Sequence, residues 1–296
     1  MKLIKPSFEI WNQPAGLEGV YKQIERVGRV CYKSEDKITE DSAKPFVDRM
    51  IKSGHGAMLE HGTVYLKCET EVINRYIHPE DGEEEDFNKL EKYEYNSYSV
   101  TSDDGIYLYV TTNLRVLVEN DWLDDLQYIC EPTEYHEKRI TVHFVCDRGV
   151  SHEFVRHRVF SFAQESTRYC NYSKDKFGNE LTFIQPCWLD DERLKLYGPY
   201  HTVIRDKSLE SIFIASLNNA EKDYIDLIDL GWKPQEARAV LPNSLKTELV
   251  VTGFTSDWNH FFDLRARGTT GAPHPQAKEL AEPLMKEFIA RKYINN

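Results

Sequence analysis

Residues 140–147 read ITVHFVCD, and four residues later Ser151–Tyr169 read SHEFVRHRVFSFAQESTRY. In the first stretch Ile140, Val142, Phe144 and Cys146 alternate, which predicts a strand with one buried face. If the second opens as a helix, Glu153, Arg156 and His157 fall at i, i+3 and i+4 and share a face. Arg158, Ser161, Gln164, Ser166 and Arg168 then crowd hydrogen-bonding groups into a short span. Guanidinium forks and hydroxyls are what a phosphate and a heterocycle edge require. A single RHR tripeptide reads more simply as a surface helix laced with salt bridges, so the whole string has to carry the case.

Working outward, helix and strand signals alternate irregularly, without the steady rhythm of a doubly wound sheet, and the fold class expected is α+β: a single domain with a sheet flanked by helices. Ser42 is placed to cap a helix in which Phe46, Met50 and Ile51 share a face and which stops at Gly54. GTVYLKCE, with Val64, Leu66 and Cys68 alternating, reads as a strand and as the expected partner of ITVHFVCD. Between the two lies a variable insertion, about 78–139, whose acidic run HPEDGEEED is most simply a solvated loop. Ser208 is placed to cap a long helix carrying Ile212, Leu217, Tyr224 and Leu227 and ended by Gly231. Pro234 suits the first turn of a further helix, which Pro242 ends. Ser256 is read as the cap of a third, with Trp258, Phe261, Phe262 and Arg265 in helical register, so that Arg265 sits at the end of an apolar stripe. Pro283 is expected to kink the last helix.

Composition bounds the function. With 41% apolar residues in 296 the chain can bury a full core, and no run reaches the roughly 18 apolar residues of a membrane helix. The start, MKLIKPSFEIW, lacks the apolar stretch of a signal peptide, so a cytoplasmic protein is expected. Six dispersed cysteines without a CxxC pair argue for reduced thiols. A net charge of -12 disfavours a long nucleic acid, while Arg148, Arg156, Arg158 and Arg168 make a local site for a small anion. His152 and His157 stand five apart, off the common face a zinc-protease helix needs, and no metal is expected. His78, His143 and His201 read as structural or solvated. No G-x-G-x-x-G occurs, and Gly54–Gly56 lies between a helix and a strand in the wrong order for a dinucleotide fingerprint, so any flavin site is non-Rossmann.

RHRVFSFAQESTRY resembles the signature of the flavin-dependent thymidylate synthases, in which RHR is followed after seven residues by Ser and then x-Arg, here Ser166-Thr167-Arg168. EARAVLPNSLKTELVVTG and WNHFFDLRARGTTGAPHPQAKEL are similar to the family's C-terminal half, and SGHGAMLEH to its histidine-containing segment. The patches keep the family's order over roughly residues 20–290. The resemblance implies reductive C5 methylation of dUMP to dTMP, with methylenetetrahydrofolate as carbon donor, FAD as redox cofactor, NADPH as reductant and a homotetrameric assembly. It implies that Glu153, Arg156, Gln164, Glu165, Ser166, Thr167, Arg168, Arg238 and Arg265 hold dUMP, with Arg265 stabilising charge that develops on the pyrimidine. It implies further that His55, Ala57, Arg156, His157, Arg158, Gln164, Phe254, Ser256 and His260 contact FAD. Glu153, Ala163, Gln164, Ala57 and His260 depart from the commonest family residues, and GTTGAP lengthens a loop after Arg267.

Three other readings compete. Cys170 adjoins the signature and is the one cysteine placed to add to C6 of the base, whereas the family's chemistry uses no enzyme nucleophile. A related flavin enzyme that hydroxymethylates another deoxypyrimidine nucleotide would use the same phosphate contacts. A silent nucleotide-binding protein would keep the arginines without the flavin.

Overall fold

The computed structural model describes residues 1–69, 90–189, 191–192 and 208–295. His78, His201 and the acidic run at 78–86 lie outside the described residues. The strands are β1 (Lys2–Ile4), β2 (Ser7–Trp11), β3 (Thr63–Glu69), β4 (Val100–Asp103), β5 (Tyr107–Asn113), β6 (Arg139–Asp147), β7 (Ser161–Gln164), β8 (Thr182–Ile184) and β9 (Lys246–Phe254). The helices are α1 (Gly16–Tyr32), α2 (Ala43–Lys52), α3 (Gly56–Leu59), α4 (Leu114–Glu119), α5 (Arg148–Phe154), α6 (Leu209–Asp229), α7 (Pro234–Ala237), α8 (Thr255–Phe262) and α9 (Pro275–Ala290). A mixed helix-and-sheet architecture is therefore what the chain adopts.

The central sheet is antiparallel in the order β2-β6-β9-β7. One face carries Val142, Phe144, Leu249 and Val251 against Phe154, Trp258, Phe261, Leu284 and Phe288 of α5, α8 and α9. The other face sets Trp11, Ala163 and Val250 against Val27 and Val30 of α1. Strict alternation along β6 and β9 thus feeds two cores, which is why these strands read as nearly continuous apolar runs.

GTVYLKCE is a strand, but its partner is not β6. β3 pairs with β5 in register Val64↔Thr112 and Leu66↔Val110, and β4 completes a separate sheet in the order β3-β5-β4. The stretch read as a variable insertion supplies the two new strands: β4 and β5 form a hairpin, and the other edge of β5 takes β3. That sheet packs Val64, Leu66, Leu108 and Val110 against Ile24, Phe46 and Leu117.

Capping departs from expectation twice. Ser42 occupies the N-cap of α2, yet its single hydroxyl proton goes to Glu25 (2.7 Å), with the Thr39 carbonyl as the alternative acceptor, and its oxygen accepts nothing from the helix. Ser256 lies inside α8, whose N-cap is Phe254; the Ser256 amide is satisfied by Glu137 Oε1 at 2.9 Å. Ser208 does cap α6, accepting from the Ser211 amide, and Gly231 follows with φ of 102°. α9 runs on through Pro283, whose missing N–H leaves that turn one bond short.

Candidate active site

α5 ends at Phe154, so Arg156 and His157 stand in the turns that follow and not on the helix. Those turns are pinned by Phe160: a Cβ built on Gly253 of β9 would lie 2.1 Å from its ring, so only glycine lets the ring settle on the strand. The pinned segment faces Arg265. α8 gives way at Asp263–Arg267 to a π turn, and from it the Arg265 Nη1 donates to Glu153 Oε2 (2.7 Å), Nη2 to the Glu153 carbonyl (2.7 Å) and Nε to His157 Nε2 (3.1 Å). An imidazole that accepts on Nε2 is neutral. Burial, then the Arg265 guanidinium and His260, push His157 down to about 4. Arg156 adds a longer contact to Glu153 at 3.5 Å, and His260 stands with its ring 6.1 Å from that of His157. Arg265 has five N–H groups, and these three bonds leave two for a ligand.

β7 carries the chain to the second set. Gln164 Nε2 donates to Ser151 Oγ (2.9 Å) and Thr247 Oγ1 (3.1 Å), and so ties the end of β7 to α5 and β9. Glu165 is buried, where it accepts from Tyr172 (3.0 Å) and Lys246 (2.8 Å). Ser166 Oγ accepts from the Arg168 amide, and Arg238 Nη1 donates to Thr167 Oγ1 at 3.2 Å. Arg168 and Arg238 are exposed.

Arg158, Phe254 and Ser256 meet in a cleft of about 670 Å³ between the central sheet and the β3-β5-β4 sheet, which also exposes Arg139, Arg115 and Tyr98. Size, an aromatic ring and an outward guanidinium suit a bulky anionic heterocycle such as a flavin nucleotide. His55 and Ala57 are not brought there. His55 borders a separate open depression with Tyr32, Arg49 and Lys52, and Ala57 is exposed on α3.

A family model described as Thymidylate synthase complementing protein matches residues 132–291, the segment that holds β6, the arginine turns, β9 and the π turn.

The chain belongs to this family.

The flavin-dependent thymidylate synthase of Pyrococcus furiosus is 32% identical over 149 residues, covering 50% of this chain and 53% of the relative. That of Geobacter sulfurreducens is 29% identical over 118 residues, covering 40% and 43%. The chain spans about half the length of the curated relatives it matches. Among solved structures, a UMP/dUMP methylase PolB from Streptomyces cacaoi bound with 5-Br dUMP aligns over 98% of this chain and 93% of that one, at TM-score 0.44 and 17% identity.

Within this family member the other candidate nucleophiles are poorly equipped. Cys170 is buried, and burial, then the carboxylate of Glu165, pushes its thiol up to about 12, so the thiolate is scarce at neutral pH. Ser166 Oγ accepts a backbone amide, and no described base bonds to it. His143 is structural: it stacks on Trp11 with centroids 4.7 Å apart and bonds to Glu248 at 2.9 Å.

Sequence reasoning missed the group behind the 165–168 loop. Lys33 and Lys246 both pair with Glu248, and Lys246 also pairs with Glu165. Burial alone would raise Glu248, but the His143 bond and the two ammoniums outweigh it and hold the carboxyl well below the usual range. Lys246 and Glu248 stand two apart on β9, hence on one face, and that alternation was the available signal.

Proposed function

We propose that this chain catalyses the reductive C5 methylation of dUMP to dTMP, as a cytoplasmic homotetramer with one domain per chain, using FAD in a non-Rossmann site, methylenetetrahydrofolate as carbon donor and NADPH as reductant. The observations that support the reading are the Glu153–His157–Arg265 lock, with Arg156 and Arg158 exposed beside His157, and the exposed Arg168 and Arg238 of the second set, in a chain of net charge -12. Arg168 and Arg238 would take the nucleotide phosphate, with the Ser166 hydroxyl beside them. FAD, when bound, supplies the hydride that completes the methyl group, and Arg158, Phe254 and Ser256 would hold it.

Arg265 keeps two N–H groups for a carbonyl oxygen of the pyrimidine, where negative charge builds as C5 becomes nucleophilic. Its three anchoring bonds fix the fork beforehand, so orientation costs little at the moment of reaction. His157 is kept neutral and acts as an acceptor that holds this geometry.

Gln164 favours uracil over cytosine. Ser151 donates its own proton to the Arg148 carbonyl (2.9 Å), so it can only accept from Gln164. With both amide hydrogens spent on Ser151 and Thr247, the side chain has only Oε1 left to offer, an acceptor that matches the N3–H of uracil and repels the bare N3 of cytosine. This weighs against the hydroxymethylation of a cytosine nucleotide. The test is purification followed by turnover: a yellow protein that oxidises NADPH and moves label from methylenetetrahydrofolate onto dUMP, and not onto dCMP, supports the reading. A colourless protein that binds dUMP without turnover refutes it.

A further inference from the structure

Arg139 opens β6 on the wall of the cleft that Arg158, Phe254 and Ser256 share. Its Nη1 donates to the Glu60 carbonyl (2.9 Å) and, at 3.5 Å, to Thr63 Oγ1, and its Nη2 donates to Ser161 Oγ (3.3 Å). All three acceptors are neutral. Its Nε is sealed from solvent and finds no acceptor among the described residues, and the guanidinium carbon stands 5.4 Å from the Phe254 ring.

Two other sheltered guanidiniums have a carboxylate, whereas Arg148 Nη1 is, like Arg139 Nε, sealed without an acceptor among the described residues. Arg29 pairs with Glu25 at 2.8 Å and Arg265 with Glu153 at 2.7 Å. Near Arg139 the carboxylate of Glu60 is turned to Arg115, which also binds Glu119 at 2.7 Å, and Asp257 lines the cleft without pairing to Arg139. A cation withdrawn from water, on which Glu60 and Asp257 act only from a distance, is costly, and an anion arriving in the cleft would reduce that cost. Burial pushes the group down to about 10, which leaves it charged at neutral pH.

We propose that Arg139 is a phosphate-binding residue, which with Arg158 grips a phosphate group of the ligand in this cleft through the N–H that Nη2 does not spend on Ser161. The proposal rests on the flavin reading above, in which this cleft holds FAD, so the phosphate expected is one of the FAD diphosphate; dUMP serves as the comparison, since its phosphate is assigned to Arg168 and Arg238. Ser97, Tyr98 and Ser99, just ahead of β4, line the same cleft. Arg139 extends the arginine set from the 156–168 segment to the strand that precedes it.

The experiment uses the full chain stripped of cofactor and titrates inorganic pyrophosphate, FAD and dUMP by calorimetry against wild type, Arg139→Gln and Arg139→Lys, with melting temperatures recorded for each apo protein. Loss of a charge-assisted pair should weaken pyrophosphate about tenfold or more in Arg139→Gln. The organic ligand that weakens in parallel identifies the source. Arg139→Lys keeps the charge without the fork and should fall between, which preserves the test if Arg139→Gln does not fold. Wild-type affinities for all three ligands in Arg139→Lys, or a lowered melting temperature with unchanged affinities in Arg139→Gln, would show Arg139 to be a structural staple and overturn the proposal. So would a wild-type chain that binds no pyrophosphate. An Arg139-dependent pyrophosphate site in a chain without flavin or turnover would instead keep this inference and sink the methylation reading.

Discussion

Lowering the pH from 7 to 5 should destabilise the fold through His157, and the size of the effect follows from its surroundings. The imidazole is 7% exposed, so solvent screens it little, and burial, then Arg265 and His260, push it from 6.5 to about 4. In the unfolded chain His157 takes its proton near pH 6.5, while the folded chain resists until about pH 4. Stability tied to this residue is therefore complete above pH 6.5, falls as acid is added and is exhausted near pH 4. At 1.36 kcal/mol per unit the whole effect is about 3 kcal/mol, of which about 2 kcal/mol has gone by pH 5.

His61 and His136 are pushed down as well, so the acid loss of the wild type alone does not isolate His157. The informative quantity is the difference from His157→Gln, which keeps an acceptor for Arg265 Nε and cannot titrate. Urea unfolding of both apo proteins at pH 7 and pH 5 should show the wild type losing about 2 kcal/mol more than the variant. Equal losses would refute the neutral, Arg265-bonded imidazole and with it the lock at the centre of the site.

Arg265→Ala should lower methylation turnover about a hundredfold or more while flavin reduction by NADPH changes far less, and Arg265→Lys should restore little, because an ammonium cannot reach Glu153 and His157 at once; stopped-flow reduction and product assays on one preparation decide it. Cys170→Ala should keep substantial dTMP formation, and complete loss in a folded, flavin-loaded variant would restore the covalent mechanism. Gly253→Ala drives a methyl group into the Phe160 ring and should cost about 1–3 kcal/mol in urea unfolding, with flavin affinity falling as the arginine turns shift. Ser151→Ala combined with Thr247→Ala frees the Gln164 amide to flip, and competition between dUMP and dCMP should show weaker preference for uracil; an unchanged preference would remove Gln164 from base recognition.

The central strands and the long helices were legible because their periodicity is set by the core they line: Phe144 and Trp258 are fully buried where the pattern put them. The pairing of β3 was not, because alternation shows that a strand has a buried face and says nothing of which edge lies beside it. The arginines were legible as a set, since Arg156, Arg158 and Arg168 crowd one segment, but their division was hidden. Arg265 joins Glu153 and His157 across the molecule, whereas Arg238 joins Thr167. Lys33, Lys246, Glu248 and Arg139 escaped notice because each reads alone as an ordinary charged residue at a helix end or on a strand, and only the fold shows which of them share a half-buried cluster and which has no ion pair among the described residues.

The π turn at Asp263–Arg267 connects the helix pattern to the site. Trp258, Phe261 and Phe262 are essentially unexposed and define the stripe that α8 presses on the sheet. At 3.6 residues per turn Arg265, three, four and seven positions further on, would fall on the middle of that stripe and drive a guanidinium among aromatic rings. Widening the final turn to i→i+5 bonding delays the rotation, so the same residue comes out at the rim, where Glu153 and His157 receive it. Gly268 then ends the element in the left-handed region with φ of 71°, where the GTTGAP loop begins. The poorer hydrogen-bond geometry of one wide turn is thus the local cost of placing a charge beside, and not inside, the aromatic core, and it explains how a residue in register with the core can still reach Glu153 and His157.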